Sequence, residues 1–401
     1  MRNSPAHETL VNKCVSIIAT NFVLMPVLDR VPTRLRERVL KRLPADLDLS
    51  VGGTFIHDES YWRRRCTVEK KWKDCIIADH GYSWKQTFFE RNLQDVLERF
   101  GDASDQEEVI RKIRESRDYV FSLTVSQLLT HPDLSILFDN LHNLTDLSLT
   151  YGVKRLRLRY NRALFGMKSV DAESLANCLK TTNTLCRLSL TSNLIDDDLL
   201  EILMSGLGSN STVTHLDLSH NSVSDLGVQI LSDILGKNSI LSTLILSNNQ
   251  IGAEGGRVLG HLLSENRSLT CLDLRLNRLG DIGAAAIFKA TTYNKSLRRC
   301  NLGSNAIGFE AASTLRDAIA SENFSLQSID LSANDFVDSD VSMLLPALRS
   351  NRTLVQCDLR MNKISQGSES LSEIASFLRR NEEIIFGAVE RDIETGESKG
   401  K

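Results

Sequence analysis

Apolar and polar positions repeat with a long period over the larger, C-terminal part of the chain. The phrase apolar-x-x-apolar-x-Leu-x-x-Asn first runs from Leu185 to Asn193, and its copies follow every 28 or 29 residues. A period of this length indicates an array of repeats rather than one globular core. A weaker copy runs from Val153 to Asn161. The asparagines that close the regular copies are Asn193, Asn221, Asn249, Asn277, Asn305, Asn334 and Asn362.

Each copy predicts a short strand followed by a helix. The apolar residues at alternating positions face inward, and the asparagine amide satisfies backbone groups where the chain turns out of the strand. Between the asparagines lie helical stretches such as residues 253–264, where Val258, Leu259 and Leu262 share one face. One repeat buries too little apolar surface to offset its ordering entropy, so neighbours must stack. The sequence therefore predicts an α/β leucine-rich-repeat solenoid, a ribonuclease-inhibitor-like horseshoe of about eight repeats between residues 150 and 386.

The first 140 residues predict a separate, small α-helical domain. All three tryptophans of the chain lie there, so we expect a tryptophan-rich centre. Apolar periodicity and stop signals predict helices over residues 33–43, 60–72, 83–100 and 106–123. We thus expect an N-terminal domain over residues 1–140, the solenoid over 141–386, and a flexible charged tail over 387–401.

The composition is typical of a soluble intracellular protein. With 401 residues, 41% hydrophobic and 25% charged, the chain can bury a large core, and its net charge of -3 argues against bulk nucleic-acid or membrane binding. The apolar stretch over residues 14–28 contains polar interruptions and lacks a cleavage site, so it predicts an amphipathic helix rather than a secretory signal. The eight cysteines show no C-x-x-C pair, and Cys300 and Cys357 replace strand leucines, so we expect reduced core thiols.

Six N-x-[ST] sequons would indicate glycosylation in a secreted chain. Most of them lie where a repeat helix ends and the next strand begins, and asparagine is a natural helix stop, so we favour a structural role. The sequon asparagines are Asn143, Asn210, Asn266, Asn294, Asn323 and Asn351.

Motifs of catalysis, phosphate binding and metal binding are absent from the sequence. There is no G-x-x-x-x-G-K-[ST], H-E-x-x-H or G-x-S-x-G motif and no zinc-ligand spacing. The glycine cluster over residues 252–260 lacks the lysine of a phosphate loop and predicts helix packing. His215 and His220 have no cysteine or carboxylate cluster beside them in ligand order. We therefore predict that the protein is not an enzyme and has no catalytic, cofactor-binding or metal site.

Binding surfaces remain as the source of function. Residues between the inward leucines alternate onto the concave face of the strands, where they form a polar row rich in acids. Eight strands at about 4.8 Å spacing give a surface about 38 Å long, which suits a helix or a folded domain rather than a metabolite. The alternative is that these side chains are merely solvated. The candidate partner-binding residues on this face are Asp217, Asp273, Arg275, Asp330, Asp358 and Arg360.

A basic run near the start of the repeats is a second candidate surface. Arg155, Arg157 and Arg159 lie in a stretch without acids. They could meet acidic tubulin or an acidic coiled-coil partner, with an attraction that salt screens. Equally, they could pair with carboxylates of the protein itself.

The N-terminal region carries a possible adaptor-docking motif. Leu10, Cys14 and Ile18 match a small-Leu-x3-Cys-x3-aliphatic pattern, and Asp58-Glu59-Ser60-Tyr61-Trp62 and Ser83-Trp84-Lys85 follow it. From Thr9 to about Phe100 this order resembles the region of elongin A that docks its adaptor, which implies contact of the first three residues with elongin C. Alternatively, their spacing is that of the core face of any amphipathic helix.

A second resemblance covers nearly the whole chain. Its motifs are Asp-Glu-Ser-Tyr-Trp at 58–62, Ser-Trp-Lys at 83–85, Phe-Phe-Glu-Arg at 88–91, Tyr-Gly-Val-Lys at 151–154 and Asp-Asp-Asp at 196–198, with the repeat phrases after them. The combination resembles the t-complex-associated testis-expressed protein 1 family, which is the leucine-rich-repeat subunit 5 of the axonemal nexin-dynein regulatory complex.

The two resemblances imply different functions. The second implies a non-enzymatic scaffold in the cytoskeleton of motile cilia and flagella, which links doublet microtubules and helps to regulate dynein. Its partners would be other subunits of the complex, with tubulin or dynein as further candidates. The first implies the alternative, a substrate receptor of an elongin/cullin-type ubiquitin ligase.

Overall fold

Two compact units make up the chain. The first comprises Met1–Val125 and Ile136–Asp146, and the second comprises Ser126–Ser135 and Leu147–Lys401. The computed structural model describes residues 10–73, 75–101, 106–153, 164–236, 239–321 and 325–396, with side chains up to residue 385.

Short helices form the first unit, and polar side chains cap the first turns of some of them. Asp58 accepts the N–H groups of Ser60 and Tyr61 at 2.9 and 3.2 Å, and the Ser83 hydroxyl accepts that of Gln86 at 3.2 Å. The helices are α1 (Leu10–Thr20), α2 (Thr33–Arg42), α3 (Leu49–Phe55), α4 (Glu59–Arg64) with a π-helical turn after it (Arg65–Glu69), α5 (Trp84–Arg99) and α6 (Gln106–Ser116).

Aromatic side chains pack at the centre of the first unit. The Trp62 ring is fully buried, and its centroid lies 5.2 Å from those of Phe88 and Phe89. Its indole N–H donates to the Ile56 carbonyl oxygen at 3.0 Å, which satisfies the buried polar atom. The other two tryptophans are half-buried.

The last N-terminal helix ends earlier than the sequence predicts. The helix expected over residues 106–123 stops at Ser116, and β1 (Ser122–Leu128) follows. The early part of β1 alternates buried and exposed residues with the period of a strand, which the helix prediction overlooked. Two backbone N–H groups at the start of β1 also donate to the buried Glu90 carboxylate, each at 2.8 Å, and this fixes the change from helix to strand.

A nine-stranded sheet follows the chain in sequence order from β1 to β9. From β3 onward neighbouring strands pair in parallel, and helices connect them, which confirms the predicted leucine-rich-repeat solenoid. The remaining strands are β2 (Asp146–Tyr151), β3 (Arg187–Ser189), β4 (His215–Asp217), β5 (Thr243–Ile245), β6 (Cys271–Asp273), β7 (Arg299–Asn301), β8 (Ser328–Asp330) and β9 (Gln356–Asp358). The remaining helices are α7 (Ser135–Phe138), α8 (Ser169–Thr181), α9 (Asp197–Leu207), α10 (Asp225–Leu235), α11 (Ala253–Glu265), α12 (Gly280–Thr291), α13 (Phe309–Ile319), α14 (Asp338–Ser350) and α15 (Glu369–Gly396).

Equivalent residues of successive repeats stand side by side in the sheet. Leu188 lies opposite Leu216, and Leu216 lies opposite Leu244, and all three are buried. Cys300 takes the same buried position on β7, as the sequence predicts, and burial raises the pKa of its thiol. Because every strand keeps this register, outward side chains also form continuous rows.

The sheet begins before the first predicted repeat. The strand next to β3 is β2, whose Leu147, Leu149 and Tyr151 are buried, whereas the repeat phrase places the first strand from Val153 onward. Residues 154–163 lie outside the described residues. The weaker copy of the phrase, from Val153 to Asn161, therefore stays a prediction. The phrase did not reveal β2, which alternates like a strand but has no asparagine after it at the repeat distance.

Acidic residues join neighbouring repeat helices at their N-terminal ends. Asp196 caps its own helix by accepting the N–H of Leu199 at 3.1 Å. Asp197 reaches the next repeat instead and accepts the N–H of Ser224 at 2.8 Å. The same bond recurs from the N–H of Gly252 to Asp225 and from that of Gly308 to Asp281, each at 2.6 Å.

Sequon asparagines stop the repeat helices, as the sequence predicts. Asn266 and Asn351 are the C-caps of α11 and α14. The buried Asn294 amide donates to the Leu263 carbonyl oxygen at 2.7 Å, and its oxygen accepts the N–H of Leu297, also at 2.7 Å. Asn323 lies outside the described residues.

The final helix runs past the predicted end of the solenoid. α15 extends to Gly396, beyond residue 387, where the sequence predicts a tail. Glutamate, arginine, alanine and isoleucine in this stretch are compatible with a helix. The flexibility of the tail stays a prediction.

Candidate functional site

A ladder of asparagines holds the strands of the repeats in place. The buried Asn221 amide donates to the carbonyl oxygens of Leu190 and Leu218 at 3.0 and 2.9 Å. Its oxygen accepts the N–H groups of Asn193 and Ile195 at 2.9 and 3.0 Å. Each repeat thus closes the one before it, and equivalent bonds recur through Asn362. This ladder fixes the outward face of β3 to β9, which we call the sheet face.

The residue before each ladder asparagine adopts the left-handed region although it is not glycine. Leu276, for example, has φ 58°, and its N–H still donates to the Gly303 carbonyl oxygen at 2.9 Å. Such a conformation costs free energy for a residue with a Cβ, and the flanking ladder offsets that cost. It also turns large apolar side chains outward, since Leu276 and Met361 are exposed.

The predicted acidic row exists, and its first role is to shape turns. Asp217, Asp273, Asp330 and Asp358 occupy one register position, with Ile245 and Asn301 between them. Each aspartate accepts the N–H of the residue two positions later, at 2.8 to 3.0 Å. Asparagine makes the same bond at position 301. This geometry is an Asx turn at the end of each strand.

The carboxylates of the row differ in their surroundings. Burial raises the pKa of Asp273, although its side chain accepts a hydrogen bond from the Asn301 amide at 3.1 Å. Asp330 lies on the far side of Asn301 in the sheet and adds to the negative potential there. Asp217 is separated from Asp273 by Ile245, so the sheet face has one acidic centre over β6 to β9 rather than an even stripe.

Arginines of the next row neutralise part of this charge. The Arg360 guanidinium donates to both oxygens of Asp358, at 2.5 to 3.0 Å, and these bonds lower the pKa of that carboxyl. Arg275 makes a backbone bond to Asp273. Within the described part of the chain its guanidinium forms no ion pair. The structure therefore brings Asp330, Asp358 and Arg360 together at the last two strands.

A further outward row lies at the first residue of each strand. The same alternation, applied two residues N-terminal to the acidic row, would have revealed this row in the sequence. Its cationic members, Arg187 and Arg299, are exposed. The row consists of Arg187, His215, Thr243, Cys271, Arg299, Ser328 and Gln356.

The predicted adaptor motif lies on the outer side of α1. Leu10 is 78% exposed and Cys14 is exposed, while Ile18 is half-buried. The core face of this helix is formed by Val15 and Ala19 instead. Leu10 and Cys14 therefore do not form the core face of this helix, contrary to the alternative interpretation of the motif. Their contact with an adaptor stays a prediction.

The basic run near the start of the repeats, with Arg155, Arg157 and Arg159, lies outside the described residues, so its role stays a prediction.

Among the residues with described positions, no three His, Cys, Asp or Glu side chains are placed to hold a metal ion. No helix in the described ranges combines the length and apolar character needed to cross a membrane. All eight cysteines are free thiols, as expected, but Cys14 and Cys186 are exposed and do not belong to the core. Burial raises the pKa of Cys66 to about 12.

Known proteins with similar sequences are consistent with the predicted resemblance. A family profile described as Leucine Rich repeat matches residues 209–232, 237–260 and 265–288. The chain is 43% identical over 187 residues to Dynein regulatory complex subunit 5 of Chlamydomonas reinhardtii, which covers 46% of this chain and 47% of that protein. The proteins of the same name from Mus musculus and Homo sapiens are 34% and 32% identical over 227 residues, which cover 49% of this chain and 45% of each relative.

The resemblance predicted from the sequence is thereby confirmed, and its extent is limited. The chain spans about half the length of the curated relatives that it matches.

Proposed function

We propose that this protein is a non-enzymatic scaffold subunit of the dynein regulatory complex in the axoneme of motile cilia and flagella. The observation that carries the proposal is the 43% identity over 187 residues to a protein named as subunit 5 of that complex. In this role the chain helps to link doublet microtubules and to regulate dynein. Its partners are other subunits of the complex, with tubulin or dynein as further candidates.

The sheet face supports a role in protein-protein contact. Seven parallel strands at about 4.8 Å spacing make a surface about 34 Å long, which fits a helix or a folded domain. Its polar rows carry an acidic centre at Asp273 and Asp330, with the Asp358–Arg360 ion pair beside it. Charges arranged in this way select partners and speed their encounter more than they add affinity.

Co-purification from axonemes tests this function. Tagged protein released from salt-washed axonemes should carry the other subunits of the complex with it. Replacement of Asp273 and Asp330 by Asn should weaken that association but keep the fold, because Asn301 makes the same turn in the natural chain. Asp233→Asn with Asp317→Asn, on exposed helix positions, is the matched control. Absence of the protein from axonemes would refute the proposal.

A second candidate function rests on the exposed apolar side of α1. Leu10, Cys14 and Ile17 line that side, and Ile17 is 60% exposed. In this alternative the helix docks elongin C, and the repeats capture a substrate for a cullin-type ubiquitin ligase. Leu10→Ser with Cys14→Ser should then abolish co-purification with elongins B and C, whereas Leu24→Ser, at an exposed site outside α1, should not. Stable stoichiometric elongin binding by the unaltered protein would reverse our ranking of the two functions.

A further inference from the structure

The last strand of the sheet has an open edge. In inner repeats the N–H groups after each strand donate to the next strand, as Leu331 does to the Asp358 carbonyl oxygen at 2.8 Å and Ala333 does to that of Arg360 at 2.9 Å. The corresponding donors after β9 are the N–H groups of Leu359 and Met361. Among the described residues they have no acceptor, because the sheet order ends at β9. An unpaired edge of this kind is a template for another strand.

A groove of about 610 Å³ lies between this edge and α15. Leu371 and Leu378 of α15 line it and are half-buried. The corresponding side chains of α14, Val341 and Leu348, are fully enclosed. The difference arises because a further strand covers the α14 side chains, whereas the described residues include no strand beyond β9 that could cover those of α15. The groove beside β9 and α15 therefore corresponds to the space that the next strand fills in the inner repeats.

The chain itself carries a matching strand phrase. Residues 351–362 read Asn-Arg-Thr-Leu-Val-Gln-Cys-Asp-Leu-Arg-Met-Asn, and residues 381–392 read Asn-Glu-Glu-Ile-Ile-Phe-Gly-Ala-Val-Glu-Arg-Asp. In this alignment Ile384 and Val389 take the inward apolar positions, and Gly387 corresponds to Cys357. An aspartate stands where the ladder asparagine would be.

The residue that starts the phrase is already placed as in the other repeats. Asn381 is fully buried, and its amide donates to the Leu354 carbonyl oxygen at 2.8 Å, much as the Ser325 hydroxyl donates to that of Leu297 at 2.9 Å. Asn351, the equivalent residue one repeat earlier, is the C-cap at which α14 ends.

The partners of the asparagine oxygen differ between the helical and the strand arrangement at this point. The Asn351 oxygen accepts the N–H groups of Thr353 and Leu354 at 3.0 and 2.9 Å, which turns the chain into β9. The Asn381 oxygen instead accepts the Arg380 guanidinium at 2.9 Å, and the helix continues. The turn and the continued helix are therefore alternatives at the same side chain.

We propose that the groove beside β9 binds residues 384–392 of the same chain as a tenth, parallel strand. In this arrangement the helix ends at Asn381, the N–H groups of Leu359 and Met361 gain acceptors, and Val389 enters the groove. Phe386 and Ala388, which take the outward strand positions of Gln356 and Asp358, carry no charge, and Glu390 takes the position of Arg360. The inference does not depend on the proposed function.

A cysteine pair tests the register. Gly387→Cys places a thiol opposite Cys357 in the strand arrangement, where Cα atoms of paired strands are within the range that a disulfide spans. In the helical arrangement residue 387 lies nine residues beyond Leu378, about 13 Å further along the axis, and cannot reach. Mild oxidation of the full chain should give an intrachain disulfide between positions 357 and 387. Ala388→Cys, which faces the other side of the strand, should not form it.

Hydrogen exchange of the unaltered chain gives an independent measurement. The amides of Leu359 and Met361 should exchange about tenfold or more slowly than in Val389→Asp, which cannot enter the groove. Glu383→Thr, which restores the Asn-x-Thr turn of the preceding repeat, should slow them further. Equal exchange in all three proteins, together with no disulfide, would overturn the proposal. A disulfide between two chains would also overturn it, in favour of a second copy as the occupant.

Discussion

At the scale of single residues, one amide holds two repeats together. The Asn249 amide donates to the carbonyl oxygens of Leu218 and Leu246, each at 3.0 Å, and its oxygen accepts the N–H of Val223, also at 3.0 Å. All these groups are buried, where water cannot replace the lost partner. The conserved spacing of the phrase within this chain therefore reflects backbone hydrogen bonding rather than surface function.

Removal of this amide should destabilise the protein strongly. Asn249→Ala leaves the buried Val223 N–H without a partner, at about 1 to 3 kcal/mol for such a group. It also removes one of the two amide donors at the Leu218 and Leu246 carbonyl oxygens, which keep the neighbouring ladder asparagines. We expect a lower midpoint of thermal unfolding, measured by circular dichroism, than for Gln250→Ala, whose side chain is exposed. Equal midpoints for the two variants would contradict the structural role of the ladder.

Two aspartates of the sheet face should respond oppositely to pH. Burial raises the pKa of Asp273 above its ordinary value of 3.8, so its contribution to stability is present below pH 3.8 and is lost as pH rises through the folded pKa. Hydrogen bonds from Arg360 lower the pKa of Asp358, so its contribution is present above pH 3.8 and is lost as pH falls through the folded pKa. At neutral pH, Asp273→Asn should raise the unfolding midpoint and Asp358→Asn should lower it. Carboxyl titration by NMR should place Asp358 below Asp273, and the reverse order would refute this assignment.

The acidic row shows what the sequence can and cannot predict about the site. The period of two placed Asp217, Asp273, Asp330 and Asp358 on the outward face. The turn that each aspartate makes with the N–H two residues later was not predicted, because that bond depends on how the chain leaves the strand. The presence of acidic residues alone does not show whether they form turns or contact a partner. Asn301 in the same row is the sequence signal that favours turn formation, because asparagine can make the same turn without a charge.

At the scale of elements, a glycine contact brings two repeat helices close together. A Cβ added to Gly256 of α11 would lie 2.4 Å from the Cα of Gly283 of α12. This contact accounts for Gly256 in the glycine cluster, for which the sequence predicts helix packing. Only a residue without a side chain permits this approach of the two backbones.

Gly256→Ala should therefore destabilise the array although alanine favours helices. The helices must separate to admit the methyl group, and overpacking of this kind typically costs about 1 to 3 kcal/mol. Ser264→Ala, on an outer part of the same helix, should change the unfolding midpoint little. A midpoint for Gly256→Ala at or above that of the unaltered protein would show that the contact relaxes freely.

Element prediction succeeded where the repeat phrase is complete and failed where it is not. β3 to β9 and the helices between them follow from the period, because each asparagine marks the end of a strand. β1 and β2 carry strand alternation without that asparagine, so the phrase did not reveal them. The segment from Gln106 to Leu128 changes from a helical to a strand period midway, and a single apolar run cannot show where the change occurs.

At the scale of the whole molecule, stability is shared between neighbouring repeats. Leu244 is fully buried between its equivalents on β4 and β6, while Ile245 beside it faces outward. An unpaired charge at the first position would be buried inside the array, and the cost can exceed the whole stability of an ordinary domain.

Leu244→Asp should accordingly abolish cooperative unfolding of the solenoid in thermal melts. Ile245→Asp is the matched control, because aspartate is the natural residue at this register position on β4 and β6. The control should keep a cooperative transition, with a midpoint lowered only modestly by repulsion from Asp217 and Asp273 on either side. A native-like transition for Leu244→Asp would contradict the assignment of this strand to the repeat core.

The asparagine ladder also implies an order in which the repeats fold during synthesis. Each amide reaches back to the preceding repeat, as Asn221 does to Leu190 and Asn193. A repeat that leaves the ribosome is therefore still open until the next strand and its asparagine have been synthesised, about one repeat later. Assembly can follow synthesis from the N-terminus, with each new unit sealing the one before it. A nascent chain arrested within the array would expose only its last unit to chaperones and proteases.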